Sequence, residues 1–371
     1  ESAQTPIKTD CNAYIRLYRR QKNKSMKKII LTGGGTAGHV IPNLALIPRL
    51  KAFDEIHYIG SVGGMEEGLV RENAPQVVYH SIPCVKFVRS LSLKNLAIPF
   101  GLIKSVNAAK KILKEVQPDV IFSKGGYVGL PVCFAAKRIP VVLHESDLKL
   151  GLANKLALSK CDKILTSFET DLKKAVKTGA PLREEIYCGN RLKALNECGL
   201  CETLPYLLVT GGSKGAKAIN ETVFESIDAL TERFNVIHLV GKGNANGLKR
   251  PGYYQKEFAS DMADWLALCD FALCRGGANT LFELAALGVP ALIIPLPKTV
   301  SRGDQIDNAL YFNRHYGTKI LFQEDMSKET LIDALDGLKA DAAEIKSALS
   351  RAQGIDGTRK IAEILTDYVE K

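Results

Sequence analysis

The sequence lacks any uninterrupted run of about 18 apolar residues, the length that a membrane-spanning helix requires. It also lacks an Asp-x-Asp pair and any cluster of His and Cys with the spacing of metal ligands. The first absence means that a membrane role would be peripheral. The second gives no support for a catalytic metal, and we expect none.

The composition is that of a globular protein. With 371 residues, of which 46% are apolar, the chain is long enough for two domains with cores. The formal net charge is +10, and the first 25 residues contribute six Lys and Arg against two Asp and Glu. They precede Met26 and contain no apolar segment of signal-peptide length, so we interpret 1–25 as a non-native or disordered leader.

Nine cysteines are present, and Cys133, Cys161, Cys269 and Cys274 lie among apolar residues. Cysteines in such surroundings are usually reduced thiols of a core. We therefore predict a cytoplasmic protein.

Short apolar runs alternate with longer segments of helical periodicity. The runs of the first half are KIILT, IHYIG, VVYHSI, VIFSK, PVVLHE and KILTSF, each followed by a candidate helix. Those of the second half are YLLVT, NVIHLV, DFALC and ALIIPL. The alternation is typical of parallel sheets with helices on both faces, so the predicted fold class is α/β.

A segment rich in Gly, Pro and charge separates the two halves. We place the boundary near Tyr187, which gives an N-terminal domain over 26–186 and a C-terminal domain over 187–349. A last helix within 350–371 is expected to join the N-terminal domain.

The segment LTGGGTAGHVIPN contains a Gly-x-Gly-x-x-Gly pattern at Gly33–Gly38. Such a loop lets backbone N–H groups approach a phosphate at a helix start. The second strand ends in Gly60 and Ser61 rather than an acidic residue, which disfavours NAD. His39 and Val40 stand where a P-loop has Lys and Ser or Thr, which disfavours ATP hydrolysis. The alternative is a tight turn in which His39 merely caps the helix.

Glycine-rich motifs recur in the second half. GGSKGA repeats the first motif after another strand, and CRGGANTLFE follows DFALC. The start of a helix at Gly276 could bind a diphosphate, and Glu283, about one turn inside, could accept from ribose hydroxyls. The alternative for Glu283 is a solvated helix face.

Polar residues follow other strands as well. SRGDQIDNA offers Asp304 and Gln305 at a helix start, where they could bind sugar hydroxyls or act as an ordinary cap. FSKGGY and HESD place His144 and Asp147 at the carboxyl ends of strands, where open α/β sheets bind ligands. His144 could equally satisfy local backbone groups.

Seven motifs occur in the order GGGTAGHVIP, FSKGGYVGLP, HESD…GLANK, GAPLREE, VTGGSKGA, CRGGANTLFE and SRGDQIDNA. From Met26 to about Asn308, this set closely resembles the peptidoglycan-synthesising N-acetylglucosaminyltransferases of glycosyltransferase family 28. The resemblance implies a GT-B fold, in which two Rossmann-like domains with parallel sheets face each other across a cleft. It also implies inverting transfer of N-acetylglucosamine from UDP-N-acetylglucosamine to the 4-hydroxyl of the muramoyl sugar of lipid I.

The resemblance implies a role for particular residues. It places Thr36–His39 near the reacting centre, where His39 is our candidate for the general base or a group that orients it, because an imidazole titrates near neutrality, and Asp147 is the rival candidate. The donor residues are Thr36, Ala37, Gly38, Arg183, Ser213, Ala259, Gly276, Gly277, Ala278, Asn279, Thr280, Glu283, Asp304 and Gln305. The acceptor residues are Gly34, Gly35, Thr36, Gly125, Gly126 and Tyr127. No cofactor and no nucleic-acid partner are expected.

Two positions depart from the family pattern. HESD stands where many members have HEQN, so Asp147 replaces an asparagine, and Lys214 replaces a glutamine in GGSKGA. Asp147 could therefore be a base or a different hydrogen-bonding group. The sequence leaves two other functions open, a UDP-N-acetylglucosamine 2-epimerase and a non-catalytic protein that binds nucleotide sugars or lipid diphosphates.

The segment from Val85 to Leu113 mixes apolar and basic residues and contains no acidic one. Such a mixture suits contact with anionic lipid headgroups at the inner face of the cell membrane. The residues proposed for this contact are Phe87, Arg89, Lys94, Phe100 and Lys104. The alternative is a helix pair whose apolar face packs on the N-terminal sheet while its lysines are solvated.

Overall fold

The computed structural model describes residues 26–85, 98–201, 203–212 and 214–370. It contains two parallel sheets. The strands of the first are β1 (Lys28–Thr32), β2 (Glu55–Ser61), β3 (Val78–Ile82), β4 (Val120–Ser123), β5 (Val141–Glu145), β6 (Lys163–Thr166) and β7 (Ala175–Lys177). Those of the second are β8 (Tyr206–Thr210), β9 (Asn235–Leu239), β10 (Tyr253–Lys256), β11 (Phe271–Cys274), β12 (Ala291–Ile293) and β13 (Lys319–Ile320).

Helices connect most of these strands. They are α1 (Ala37–Leu46), α2 (Met65–Asn73), α3 (Ile98–Val116), α4 (Gly126–Ala135), α5 (Leu152–Ala157), α6 (Arg191–Cys198), α7 (Lys217–Glu225), α8 (Ile227–Thr231), α9 (Met262–Leu268), α10 (Ala278–Ala286), α11 (Asp304–Tyr316), α12 (Lys328–Ala340), α13 (Ala342–Ser350) and α14 (Thr358–Glu370). The central strands are buried on both faces, which explains why they read as continuous apolar runs.

Strand order places the glycine-rich motifs. The sheets run β3-β2-β1-β4-β5-β6-β7 and β10-β9-β8-β11-β12-β13. In each sheet the order in which successive strands are added reverses between two parallel neighbours, β1 and β4 in the first and β8 and β11 in the second. Open α/β sheets bind ligands in the crevice outside the carboxyl ends of strands at this reversal. Each of these four strands is followed by one of the four glycine-rich loops.

Three strands were not expected from the sequence. Both edge strands of the second sheet, β10 and β13, and the edge strand β7 are short and mostly half-buried, so they carry no apolar run. The expectation of a helix after every strand of the first half is wrong at β6, which leads directly into β7.

Each sheet has its own hydrophobic core, and two segments pack in the core of the sheet that lies farther from them along the chain. Ile361, Ala362 and Leu365 of α14 pack in the core of the first sheet, beside residues of α1 and β4. Leu182 and Ile186 pack in the core of the second sheet. The chain therefore enters the second core before residue 187 and returns to the first at its last helix.

The two connections between the sheets lie side by side. Ala180 N–H donates to the Ile355 carbonyl at 3.0 Å, and Gly357 N–H donates to the Ala180 carbonyl at 2.7 Å. Thr358 Oγ1 accepts from Leu182 N–H at 2.8 Å. Gly179 has a φ of +92°, and a Cβ there would collide with the Gly354 carbonyl. These bonds join both connections into one element.

Candidate active site

The first glycine loop is held by the side chains of β2 and α2. The Tyr58 hydroxyl donates to the Gly33 carbonyl at 2.6 Å. The buried Glu66 carboxylate accepts from Gly35 N–H at 3.2 Å and from Ser61 N–H at 2.7 Å. The Gly35 amide, which the sequence assigns to the acceptor, is therefore engaged by a carboxylate of the protein itself.

Acceptor candidates from two loops meet here. Gly35 has a φ of +85°, and a Cβ on it would collide with the Tyr127 ring. A Cβ on Gly126 would lie 3.1 Å from the Gly34 carbonyl. The loops after β1 and β4 are thus in contact at the point where the strand order of the first sheet reverses. Gly125 and Gly126 lie at the start of α4.

His39 lies in the first turn of α1, and its Nδ1 is 2.9 Å from Thr36 Oγ1. Burial, then the positive charges of Lys124 and Arg302, lower the pKa of His39 to about 4, against an opposing effect of Glu66 and of a hydrogen bond with the Gly34 backbone. The imidazole is therefore neutral near pH 7 and can accept a proton.

Asp147 follows β5 and is partly buried at the cleft. Its Oδ1 accepts from Asn308 Nδ2 at 3.0 Å. Burial raises the pKa of Asp147 to about 6, with Glu145 and Asp304 acting in the same direction and Asn308 and Arg302 against it. The carboxylate of the second candidate base thus accepts a hydrogen bond from a residue of the other domain.

Asn308 of α11 joins the two domains. It is fully buried, its Oδ1 accepts from Leu148 N–H at 2.9 Å, and its Nδ2 also donates to the Gly276 carbonyl at 3.1 Å. A second contact crosses the cleft where Asn279 Nδ2 donates to the Gly38 carbonyl at 3.2 Å. The expected donor residues of both domains, Thr36–Gly38 and Gly276–Thr280, are therefore brought together.

The start of α10 has the properties of an anion site. Gly277 is the cap residue, and no side chain of the described residues caps the first amides of the helix. A Cβ on Gly276 would collide with the Gln305 carbonyl, so α10 begins against the start of α11. Free N–H groups at a helix start attract a diphosphate.

Glu283 does not lie on a solvated face. Its side chain is 16% exposed, and its Oε1 lies 3.7 Å from Arg183 Nη2. Burial raises the pKa of Glu283, and the Arg183 charge opposes this shift. The buried Arg183 Nε has no hydrogen-bond partner among the described residues. Both expected donor residues thus meet, and each keeps capacity for a further polar partner.

Of the remaining expected donor residues, Asp304 and Gln305 lie at the start of α11, against which α10 begins. Asp304 begins α11 with Gly303 as its cap, and the Asp304 Oδ1 atom is buried without a described hydrogen-bond partner. Gln305 Oε1 accepts from Leu296 N–H at 3.1 Å, which fixes its side chain. Ala259 is buried. Ser213 lies outside the described residues.

His144 proves to be a residue of the protein interior. It is fully buried, its Nδ1 accepts from Lys124 Nζ at 2.6 Å, and its Nε2 lies 3.2 Å from the Gly179 carbonyl. One of its two partners is thus a backbone group, as the alternative predicted, and the other is a side chain of the same domain. Within the described ranges, no group of three or more His, Cys, Asp and Glu is placed to hold a metal ion.

Sequence reasoning missed three residues of this region, Glu66, Lys124 and Asn308. Asn308 lies one helical turn after Asp304, so helical spacing could have placed it at the cleft. Lys124 stands inside a motif that we singled out for its glycines. Nothing in the local sequence connects Glu66 to the first glycine loop.

Two facing Rossmann-like domains, each with glycine-rich loops and a helix start at the carboxyl ends of its strands, define the GT-B class of glycosyltransferases. Within this class the chain belongs to glycosyltransferase family 28. The N-terminal domain of that family matches residues 29–166, and its C-terminal domain matches residues 206–365. The expected GT-B fold is thereby confirmed.

Similar proteins cover almost the whole chain. The UDP-N-acetylglucosamine–N-acetylmuramyl-(pentapeptide) pyrophosphoryl-undecaprenol N-acetylglucosamine transferase of Clostridium botulinum is 42% identical, over 93% of this chain and 100% of its own length. The enzyme of the same name from Lachnospira eligens is 43% identical, over 92% and 99%. The crystal structure of MurG from Acinetobacter baumannii has a TM-score of 0.73 and 25% identity, over 92% and 99%.

Proposed function

We propose that this enzyme transfers N-acetylglucosamine from UDP-N-acetylglucosamine to the 4-hydroxyl of the N-acetylmuramoyl sugar of lipid I, with inversion to a β-1,4 bond, and so makes lipid II for peptidoglycan synthesis. The observation that carries the proposal is the cleft in which neutral His39 lies on one domain and the uncapped start of α10 on the other, with Gly38 and Asn279 in direct contact. The name shared by the relatives gives the same donor, the same transferred sugar and an N-acetylmuramyl-(pentapeptide) pyrophosphoryl-undecaprenol acceptor.

The reaction is a single displacement. His39 accepts the proton of the attacking hydroxyl while that oxygen bonds to C1 of N-acetylglucosamine and the bond from C1 to the diphosphate breaks. The amides of Gly276–Thr280 and the positive end of α10 stabilise the departing UDP. Asp147 remains the alternative base. No cofactor enters this scheme.

The decisive assay measures UDP release from UDP-N-acetylglucosamine with and without a soluble lipid I analogue. The transferase is expected to release UDP and form the disaccharide when the analogue is present. An epimerase would convert the donor without it, and a binding protein would retain the donor unchanged. Either of these last two results would contradict the proposed function.

Glu283 is proposed to accept hydrogen bonds from the ribose of the donor, with Arg183 beside the donor phosphates. We expect Glu283→Ala to raise the donor KM by about 10- to 150-fold, because a charge-assisted bond contributes about 1.5–3 kcal/mol. Steady-state kinetics at saturating acceptor measure this change. Glu221→Ala is the control, since Glu221 is 59% exposed on the same domain. A donor KM equal to that of the control would remove Glu283 from the donor site.

We propose that the enzyme works as a peripheral protein on the cytoplasmic face of the bacterial membrane, where lipid I is anchored. Of the residues expected in the contact, Phe87, Arg89 and Lys94 lie outside the described residues. Phe100 and Lys104 lie on α3, where Phe100 is 76% exposed, Lys104 is exposed and the neighbouring Ile103 is 58% exposed. Among the described helices, none is long and apolar enough to cross a membrane.

The exposed side chains of α3 provide a test of this contact. We expect Phe100→Ser with Ile103→Ser to reduce binding to vesicles containing anionic lipid, because both apolar groups would otherwise insert at the headgroup level. Binding should also weaken with salt, by about 1 kcal/mol per basic residue near the surface. Leu192→Ser is the control, since Leu192 is 66% exposed on α6 of the other domain. Cosedimentation equal to that of the control would place the membrane surface elsewhere.

A further inference from the structure

Lys124 is a buried lysine at the carboxyl end of β4, only 3% exposed. Its Nζ donates to His144 Nδ1 at 2.6 Å and to Ser146 Oγ at 2.6 Å. Its own backbone N–H donates to the Thr32 carbonyl at 2.9 Å, next to the first glycine loop. An ammonium group is rarely buried unless other groups compensate for the loss of water, so its position calls for a function.

The contacts of Lys124 connect the strand-end loops of the first sheet. It belongs to the loop after β4, and it binds two residues at and after the end of β5. The second of these, Ser146, directly precedes Asp147, which contacts Asn308 of the other domain. The ammonium group therefore fixes the start of the segment His144–Asp147. This segment carries the contact between Asp147 of the N-terminal domain and Asn308 of the donor domain.

Lys124 also sets the charge around the candidate bases. Burial lowers the pKa of Lys124 to about 7, while Glu145 and Asp147 act to raise it. After burial, its charge is the next cause of the lowered pKa of both His39 and His144. A cation in this place favours the neutral form of each imidazole.

We propose that Lys124 is a positioning residue for sugar transfer, whose ammonium group fixes the segment from His144 to Asp147. Its charge also disfavours the imidazolium form of His39, as the second cause, after burial, of the lowered pKa there. This role rests on the proposed function. Lys124 takes no proton from the substrate in this scheme, and it acts only through His39 and the Asp147–Asn308 contact. Other charged groups that face these residues are Arg302, Glu66, Glu145 and Asp304.

The test compares Lys124→Met, which removes the charge at similar size, with Lys124→Arg, which retains it. Lys155→Met is the matched control, because Lys155 is exposed on the neighbouring helix α5. We expect Lys124→Met to lower kcat by about 10- to 100-fold, the effect of a misplaced catalytic group, with a donor KM close to that of the wild type. In this variant the acidic limb of the pH profile of kcat/KM should move to higher pH by about one unit or more. The reason is that a nearby cation no longer disfavours the imidazolium form of His39.

Lys124→Arg should return the acidic limb toward its wild-type position, whatever its kcat. Ser146→Ala removes one anchored contact but keeps the cation, so it should lower kcat without moving the limb. Thermal unfolding shows whether Lys124→Met folds. If it does not, Ser146→Ala and Lys124→Arg still test the role of Lys124.

Titration of ¹³C-labelled histidines by NMR gives a readout that needs no activity. The chain has six histidines, and the His39 signal can be assigned by its loss in His39→Gln. The pKa of His39 should rise in Lys124→Met and stay unchanged in Lys155→Met. An unchanged His39 titration together with a wild-type pH profile would overturn the role of Lys124. An inactive wild type with the expected His39 shift would instead contradict the proposed transfer reaction and leave the electrostatic role of Lys124 intact.

Discussion

Replacing His39 with alanine is expected to lower kcat by about 10²- to 10⁴-fold, the usual contribution of a general base. The imidazole lies beside Thr36 and Gly126 at the cleft, and it is neutral near pH 7. Because the pKa of His39 is lowered to about 4, its protonated form is disfavoured. The kcat/KM of the wild type should therefore stay level as the pH falls through 6.5 and decline only near 4.

Steady-state rates over pH 4–9 with a soluble lipid I analogue measure both effects. His315→Ala is the control, since His315 is exposed on α11 and binds the Tyr311 carbonyl of its own helix. A His39→Ala variant with nearly normal kcat would leave His39 as a structural residue of the helix start. Asp147 would then be the group to replace next.

Asn308→Leu is expected to lower kcat/KM by about 10²- to 10³-fold. The substitution keeps the approximate volume but removes the partners of the Asp147 carboxylate, the Leu148 amide and the Gly276 carbonyl. Each buried polar group left without a partner costs about 1–3 kcal/mol. The cost falls on the arrangement in which the two domains meet, so the catalytic residues of one domain lose their position against the donor loop of the other.

Kinetics and small-angle X-ray scattering test this expectation together, since the loss of rate should accompany a wider separation of the domains. Asn313→Leu is the matched control on the same helix, because Asn313 binds the Thr318 carbonyl within its own domain. It should lower the melting temperature without affecting the domain arrangement. Normal kcat/KM with unchanged scattering in Asn308→Leu would show that the contact does not position the reacting groups.

The sequence predicted those parts of the molecule that local patterns determine. A strand such as Lys28–Thr32 is buried on both faces, so its apolar run identifies it, and the glycine motif after it identifies the start of α1. Edge strands such as Lys319–Ile320 are short and half-buried, and their pairing depends on a neighbour already in place. No local pattern marks such a strand.

The same distinction applies to the site. His39, Glu283 and the Gly276–Thr280 helix start belong to recognisable motifs at strand ends, where the fold itself places them together. The contact between Asp147 and Asn308 joins positions 161 residues apart, and it exists only when two domains meet. Lys124 reads as one charged residue in a glycine-rich loop until the structure shows His144 and Ser146 around it. These residues depend on three-dimensional neighbours that one sequence does not reveal.

The placement of α14 in the N-terminal core constrains the order of folding during synthesis. Ile361, Ala362 and Leu365 leave the ribosome after the whole second sheet, yet they cover apolar side chains of α1 and β4 that were made first. Domains generally fold as units in the order in which they are made. Here the first domain cannot bury that face until the last helix arrives, so the nascent chain carries an uncovered apolar surface while the second domain forms. A chaperone that binds apolar surfaces would find its site on the nascent chain here, and a ribosome stalled before Thr358 would display it.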